Sequence, residues 1–149
     1  MVPADNQLHL GLAVDTEEGL VVPVIRNVGE LPLDEIVQQS RRLLKLTRAG
    51  KLTASDMQGG VFTITNLGAF GIDAFTPIIN SPETAILGVG TIRREPFVLG
   101  DGVIVARQEI TLSFTFDHRI VDGAPAARFL QAIVNSIASL AKQSMSFFL

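Results

Sequence analysis

The chain has 149 residues, enough for a single domain that buries about 70% of its unfolded surface. Hydrophobic residues make up 47% and charged residues 18%, greasy for a monomer, yet no run approaches ~18 consecutive apolar residues, so buried contacts with other subunits are expected rather than a membrane span. A net charge of −3 with scattered basic residues argues against nucleic acid as a partner, and the lack of cysteine rules out thiolate metal sites and a cysteine nucleophile.

Met1-Val2-Pro3-Ala4-Asp5 has no basic region and no apolar core, so no secretory signal is expected and the cytoplasm is the default location. Leu8 to Val14 reads as a strand, Asp15 to Gly19 as a turn, and Leu20 to Arg26 as the returning strand of a hairpin. Pro23 cannot donate to a ladder, which puts it at an edge or a bulge. Leu33 to Ala49 is a helix, with Ile36, Val37, Ser40, Leu43, Leu44 and Thr47 on one stripe. Asp34 and Glu35 open it, Lys45 and Arg48 close it in accord with the helix dipole, and Gly50 stops it. Thr53-Ala54-Ser55-Asp56 predicts a short capped turn.

Val61 to Asn66 is a strand by its β-branched content. Leu67 to Phe75 is a loop of glycine and aromatic residues, with three large apolar side chains that a monomer would expose. Ala85 to Ile92 predicts a buried strand. Its Gly88-Val89-Gly90 is too short for a phosphate loop and points to close backbone packing. Phe97-Val98-Leu99 and Val103-Ile104-Val105 flank Gly100-Asp101-Gly102 as a hairpin. From Glu109 to Asp117 apolar and polar residues alternate strictly, which would place His118 on the apolar face and at least partly bury it. Ala124 to Ala141 closes the domain as a helix, with Phe129, Leu130, Ile133, Val134, Ile137 and Leu140 as its core stripe. The element order is α+β with an antiparallel or mixed sheet.

The most informative residues are Asp117-His118-Arg119-Ile120-Val121-Asp122-Gly123. His118 is one of only two histidines, the other being His9, and it sits between a strand end and a helix start. There a side chain is both held and accessible, as a general base must be. A lone histidine is more often structural than catalytic. Asp122 suits the N-cap of the last helix, and Arg119 a structural ion pair. Thr65 and Ser113 are strand hydroxyls that could simply satisfy backbone groups. No Gly-x-Ser-x-Gly elbow supports a covalent serine mechanism, and zinc at His9 and His118 alone has no specific support.

Phe116 to Gly123 resembles the active-site signature of the dihydrolipoyl acyltransferase components of 2-oxo acid dehydrogenase complexes. Gly11-Leu12-Ala13-Val14-Asp15-Thr16 with Gly19-Leu20-Val21-Val22-Pro23-Val24 is similar to the family's hairpin. Phe62-Thr63-Ile64-Thr65-Asn66-Leu67-Gly68, Phe75-Thr76-Pro77-Ile78-Ile79-Asn80 and Pro82-Glu83-Thr84-Ala85-Ile86-Leu87-Gly88-Val89-Gly90 follow in the family's order. The resemblance runs from about Leu8 to about Lys142. It implies a chloramphenicol acetyltransferase-like two-layer sandwich with a mixed sheet, truncated at its N-terminal side. It also implies acyl transfer between dihydrolipoamide and coenzyme A.

In that chemistry His118 is the base that takes the thiol proton, Thr65 is the hydroxyl donor to the oxyanion, and Asp122 holds an arginine that stabilises the site. Coenzyme A is a substrate, the lipoyl group arrives in trans, and no metal is required. The implied partners are two further copies in a homotrimer, then a cubic or icosahedral shell, lipoyl domains and the other dehydrogenase components. Neither nucleic acid nor membrane is among them. His118 and Thr65 would come from different subunits, and Phe147, Phe148 and Leu149 would bury against another chain.

Measured against the family, residues 1–149 are expected to be a partial catalytic domain. A lipoyl domain, a small subunit-binding domain and the first helix, which supplies the arginine partner of Asp122, fall outside it. Arg119 or Arg128 could substitute for that arginine. Two alternatives stand beside the acyltransferase: a truncated scaffold of little or no activity, and a chloramphenicol-type enzyme with another acceptor, which the long motifs disfavour.

Overall fold

The computed structural model describes residues 7–146. Its first unit is built around a five-stranded sheet in the order β4-β1-β5-β6-β7. These strands are β1 (Leu10–Leu12), β4 (Val24–Ile25), β5 (Phe62–Asn66), β6 (Ala85–Val98) and β7 (Ile104–Phe116). The sheet is mixed: β4 runs antiparallel to β1, while β5 is parallel to both β1 and β6. The α+β class and mixed sheet are as the sequence predicts.

The predicted N-terminal hairpin divides in two. Leu10 pairs with Ile25 and Gly11 with Val24 inside the main sheet. Beyond them β2 (Val14–Thr16) and β3 (Gly19–Val21) form a separate two-stranded ribbon. The break falls where Ala13 turns its amide to the Ile64 carbonyl (2.9 Å) and Leu12 donates to Pro23 (2.9 Å). Pro23 thus lies beside the edge strand β4, where a missing N–H costs no ladder bond.

Helix α1 (Leu33–Arg48) packs against β2 and β4. Leu43 and Thr47 of the predicted stripe are buried, and Thr47 Oγ1 donates to the Leu43 carbonyl (2.9 Å). Gly50 ends the helix at φ 62°, a left-handed conformation that a Cβ disfavours. A 3₁₀ turn, Ala54–Met57, follows with the predicted cap, its Thr53 amide bonded to Asp56 Oδ2 (2.8 Å). The Thr53 hydroxyl and amide hold the Asp56 carboxyl below its ordinary pKa.

Strand β6 runs unbroken through Ala85–Val98, joining two segments that read separately in sequence. Its turn into β7 is closed by Leu99 N to Val103 O (2.8 Å) and Gly102 N to Leu99 O (2.9 Å). The described residues divide between Thr115 and Phe116 into two units, the second carrying α2 (Gly123–Ser146). The predicted core stripe of this helix departs from expectation: Phe129, Val134, Ile137 and Leu140 are exposed. Helical spacing fixes which residues share a face, not whether a partner covers it. Among the described residues no helix is long and apolar enough to cross a membrane. Phe147, Phe148 and Leu149, predicted to bury against another chain, lie outside the described residues.

Candidate active site

Thr65 lies in β5, half-buried, with its Cα partnered to Gly88 of β6. Two backbone features hold the end of this strand. The Leu67 amide donates to Val89 O (3.1 Å), and the Gly68 amide donates to Asn66 Oδ1 (2.8 Å). A Cβ on Gly68 would lie 2.5 Å from the Gly90 carbonyl oxygen, and one on Gly90 would collide with the carbonyl of Asp73. The glycines of 88–90 therefore serve close packing, as the sequence suggests. A Cβ on Gly88 would come within 3.0 Å of Phe75 Cζ, so the Phe75 ring fills the place beside Thr65 that a side chain at 88 would take.

The loop from Leu67 to Phe75 is only partly covered: Phe70 and Ile72 are exposed, while Phe75 is seated over Gly88. Asp73 anchors this loop, accepting from Thr111 Oγ1 (3.1 Å) and pairing with Arg93 Nη2 (3.2 Å). A hydroxyl at Thr65 is thus carried on a backbone fixed from both neighbouring segments. Sequence reasoning identified Thr65 but missed Phe75, which covers its strand partner Gly88. The only hint was the glycine at 88, which does not say what fills the space.

His118, Arg119 and Asp122 belong to the second unit. Strand β7 ends at Phe116, and Asp117 then closes a turn: its carbonyl accepts from the amides of Ile120 and Val121 (3.0 Å each). Asp117 Oδ1 also accepts from the Arg119 amide (2.9 Å). This turn rotates His118 out of the strand alternation, so the imidazole is exposed rather than partly buried as predicted. Its ring stays near Phe116, with centroids 5.6 Å apart and planes at 38°.

Arg119 grips the same aspartate with Nε 2.9 Å from Oδ1 and Nη2 2.6 Å from Oδ2. These bonds hold the Asp117 carboxyl down to about 2, first through the side-chain bonds from Arg119 and then through its amide. Arg119 is therefore a structural partner of Asp117, and the suggestion that it substitutes as the arginine of Asp122 fails. Asp122 stands at the N-cap position of α2, its carbonyl accepting from the Ala126 amide (3.1 Å). Its carboxylate is exposed, without a hydrogen bond or ion pair among the described residues. His9 is occupied elsewhere, accepting from the Asn27 amide at Nδ1 (3.0 Å).

The structure thus presents an exposed imidazole on a turn locked by its neighbours and, four residues on, a carboxylate without a partner among the described residues; a strand hydroxyl lies in the other unit. The family model for 2-oxoacid dehydrogenases acyltransferase (catalytic domain) matches residues 2–145. Over 126 residues the chain is 51% identical to the dihydrolipoyllysine-residue acetyltransferase component of the acetoin cleaving system of Bacillus subtilis (strain 168), covering 85% of this chain and 31% of that protein.

Among solved structures, the cubic core of the pyruvate dehydrogenase multienzyme complex matches with a TM-score of 0.79 and 46% identity, over 84% of this chain and 51% of that one. Azotobacter vinelandii dihydrolipoamide acetyltransferase matches with a TM-score of 0.85 and 43% identity, over 90% of this chain and 55% of its own. In that enzyme the catalytic roles of a serine, a histidine and an asparagine four positions beyond the histidine have been investigated. The chain spans about a third of the Bacillus relative and about half of each solved chain. With the matched segment running from residue 2 to residue 145, the chain belongs to the family of 2-oxoacid dehydrogenase acyltransferase catalytic domains.

Proposed function

We propose that residues 1–149 form part of an acyltransferase catalytic domain that transfers an acyl group between dihydrolipoamide and coenzyme A. The observation that carries this is His118, an exposed imidazole held at a strand end by the Asp117 turn. A thiol of pKa ~8.5 is only slightly ionised at neutral pH, so an imidazole that takes its proton during attack raises the rate. The sulfur then bonds to the thioester carbonyl carbon, negative charge moves to the carbonyl oxygen, and the Thr65 hydroxyl donates to it. Collapse breaks the original carbon–sulfur bond, and the departing thiolate takes back the proton from His118. Charge stabilisation by one such donor is worth ~3 kcal/mol.

Asp122 stands four residues beyond His118, the interval between the histidine and asparagine probed in the Azotobacter enzyme. Its carboxylate, exposed and without a partner among the described residues, suits it to hold a cation supplied from elsewhere. The reading further places the chain in a homotrimer, with His118 and Thr65 from different copies, and in a larger shell served by lipoyl groups in trans. The similarity to a cubic core and the exposed apolar residues of α2 support this. A cytoplasmic location accords with the bacterial relative and with a dithiol substrate that needs a reducing compartment.

The test is turnover of acetyl-CoA with dihydrolipoamide beside His118→Ala, with mass measured in solution. Loss of about 10²–10⁴-fold in kcat on removing the base is expected. An unmodified chain no faster than the variant, yet still a trimer or larger shell, would select the scaffold instead.

A further inference from the structure

We propose that Glu83 and Thr63 are positioning residues for Thr65, joined through one bridging water; this rests on the acyltransferase reading given above. Glu83 stands in the turn that feeds β6, where its amide donates to the Asn80 carbonyl (2.9 Å) and its Oε1 accepts from Asn80 Nδ2 (3.2 Å). Its second oxygen, Oε2, is buried and has no partner among the described residues. Thr63 is 0% exposed, and its hydroxyl oxygen is likewise buried without a partner. Such groups are rarely left unsatisfied inside a protein, because burial strips them of water.

Two glycines open the space these groups occupy. A Cβ on Gly60 would lie 2.8 Å from Glu83 Oε1. A Cβ on Gly11 would lie 2.6 Å from Thr63 Oγ1 and 3.5 Å from Glu83 Oε1, so both oxygens are within 3.5 Å of one point. No direct hydrogen bond joins them, so the pair is satisfied when one water accepts from the Thr63 O–H and donates to the Glu83 carboxylate. The oxygen near Gly11 is Oε1, which already accepts from Asn80 Nδ2, and a carboxylate oxygen keeps a lone pair for a second donor.

The link reaches the site through the sheet. Residues 63 and 65 fall on the same face of β5, since side chains alternate along a strand. Thr63 is partnered to Ile86, three residues after Glu83, and Thr65 to Gly88. Tying the 80–84 turn to Thr63 therefore fixes β5 against the start of β6 one side-chain step before the Thr65 hydroxyl. A donor to an oxyanion must be held to fractions of an ångström, which gives this tether a consequence beyond stability.

Thr63→Val keeps the shape of the side chain and removes the hydroxyl. Glu83→Gln keeps the shape and leaves one acceptor oxygen for two donors. Each is expected to lower kcat about 10-fold or more with KM little changed, and Thr63→Ser to restore it to within about 3-fold. On a Thr65→Ala background Thr63→Val should cost less than about 2-fold, because its effect runs through Thr65. Full, multiplicative loss on that background, or unchanged kcat in both single variants, overturns the proposal. In parallel, the Thr65 methyl NMR signal should shift in both variants. An unmoved signal overturns the positioning role even if turnover is lost, whereas a shifted signal with no turnover in the unmodified chain supports it and refutes the acyltransferase reading instead.

Discussion

Replacing Gly88 by alanine drives a methyl group against the Phe75 ring, and so tests whether that ring is what seats the backbone beside Thr65. The added Cβ would meet Cζ at 3.0 Å and Cε1 and Cε2 at 3.3 Å, whereas ordinary contact begins at 3.4 Å. The ring must retreat by about half an ångström, and its backbone is part of the 67–84 crossover rather than a free end. Overpacking of this kind costs ~1–3 kcal/mol. At ~2–4 °C per kcal/mol for a domain of this size, melting at fixed protein concentration should fall by about 2–12 °C. Because Gly88 is the strand partner of Thr65, kcat for the dihydrolipoamide and acetyl-CoA reaction should fall about 10-fold with KM nearly constant. Phe75→Leu shortens the ring, so the double variant should recover at least ~1 kcal/mol relative to the sum of the single effects. Melting of Gly88→Ala within about 1 °C of the parent, or strict additivity with Phe75→Leu, would refute the placement of the ring.

Removing the Thr65 hydroxyl as Thr65→Val should lower kcat by about 10²–10³-fold while Thr65→Ser retains most of it, read by steady-state kinetics. Equal rates in the two variants would exclude an oxyanion donor at 65. Arg119→Ala should return the Asp117 carboxyl from about 2 toward its ordinary value of 3.8, measured by carboxyl ¹³C NMR titration. Because the folded value is the depressed one, the ionised turn is fully favoured above about pH 4 and loses its stabilisation as pH falls toward 2. In the variant the turn should loosen at higher pH, with exchange broadening at His118; an unchanged titration would remove Arg119 from the support of that histidine.

Much of the local architecture is legible in residues close together in the chain. The α1 stripe, the Gly50 stop and the Thr53 cap depend on spacings of three or four residues, and the Gly100-Asp101-Gly102 turn on two glycines beside an aspartate. These features form as written because their partners are neighbours in sequence. The N-terminal hairpin is different. Its division at Ala13 depends on the Ile64 carbonyl, about a third of the chain away, and no local pattern announces that bond.

The family, the α+β class and the motifs that contain His118, Asp122 and Thr65 are legible in the chain alone, because long motifs and hydrophobic periods need no tertiary contact to be read. Tertiary structure decided how each of these residues is presented. Strand alternation extrapolated His118 into a half-buried site, but Asp117 spends its carbonyl and carboxylate on a turn that turns the imidazole outward. It likewise decided that Arg119 belongs to Asp117, that Phe75 lies over Gly88, and that Thr63 and Glu83 each come close to Gly11. Such choices rest on which groups reach one another once strands are in register, and register is fixed by distant pairings rather than by any stretch of sequence.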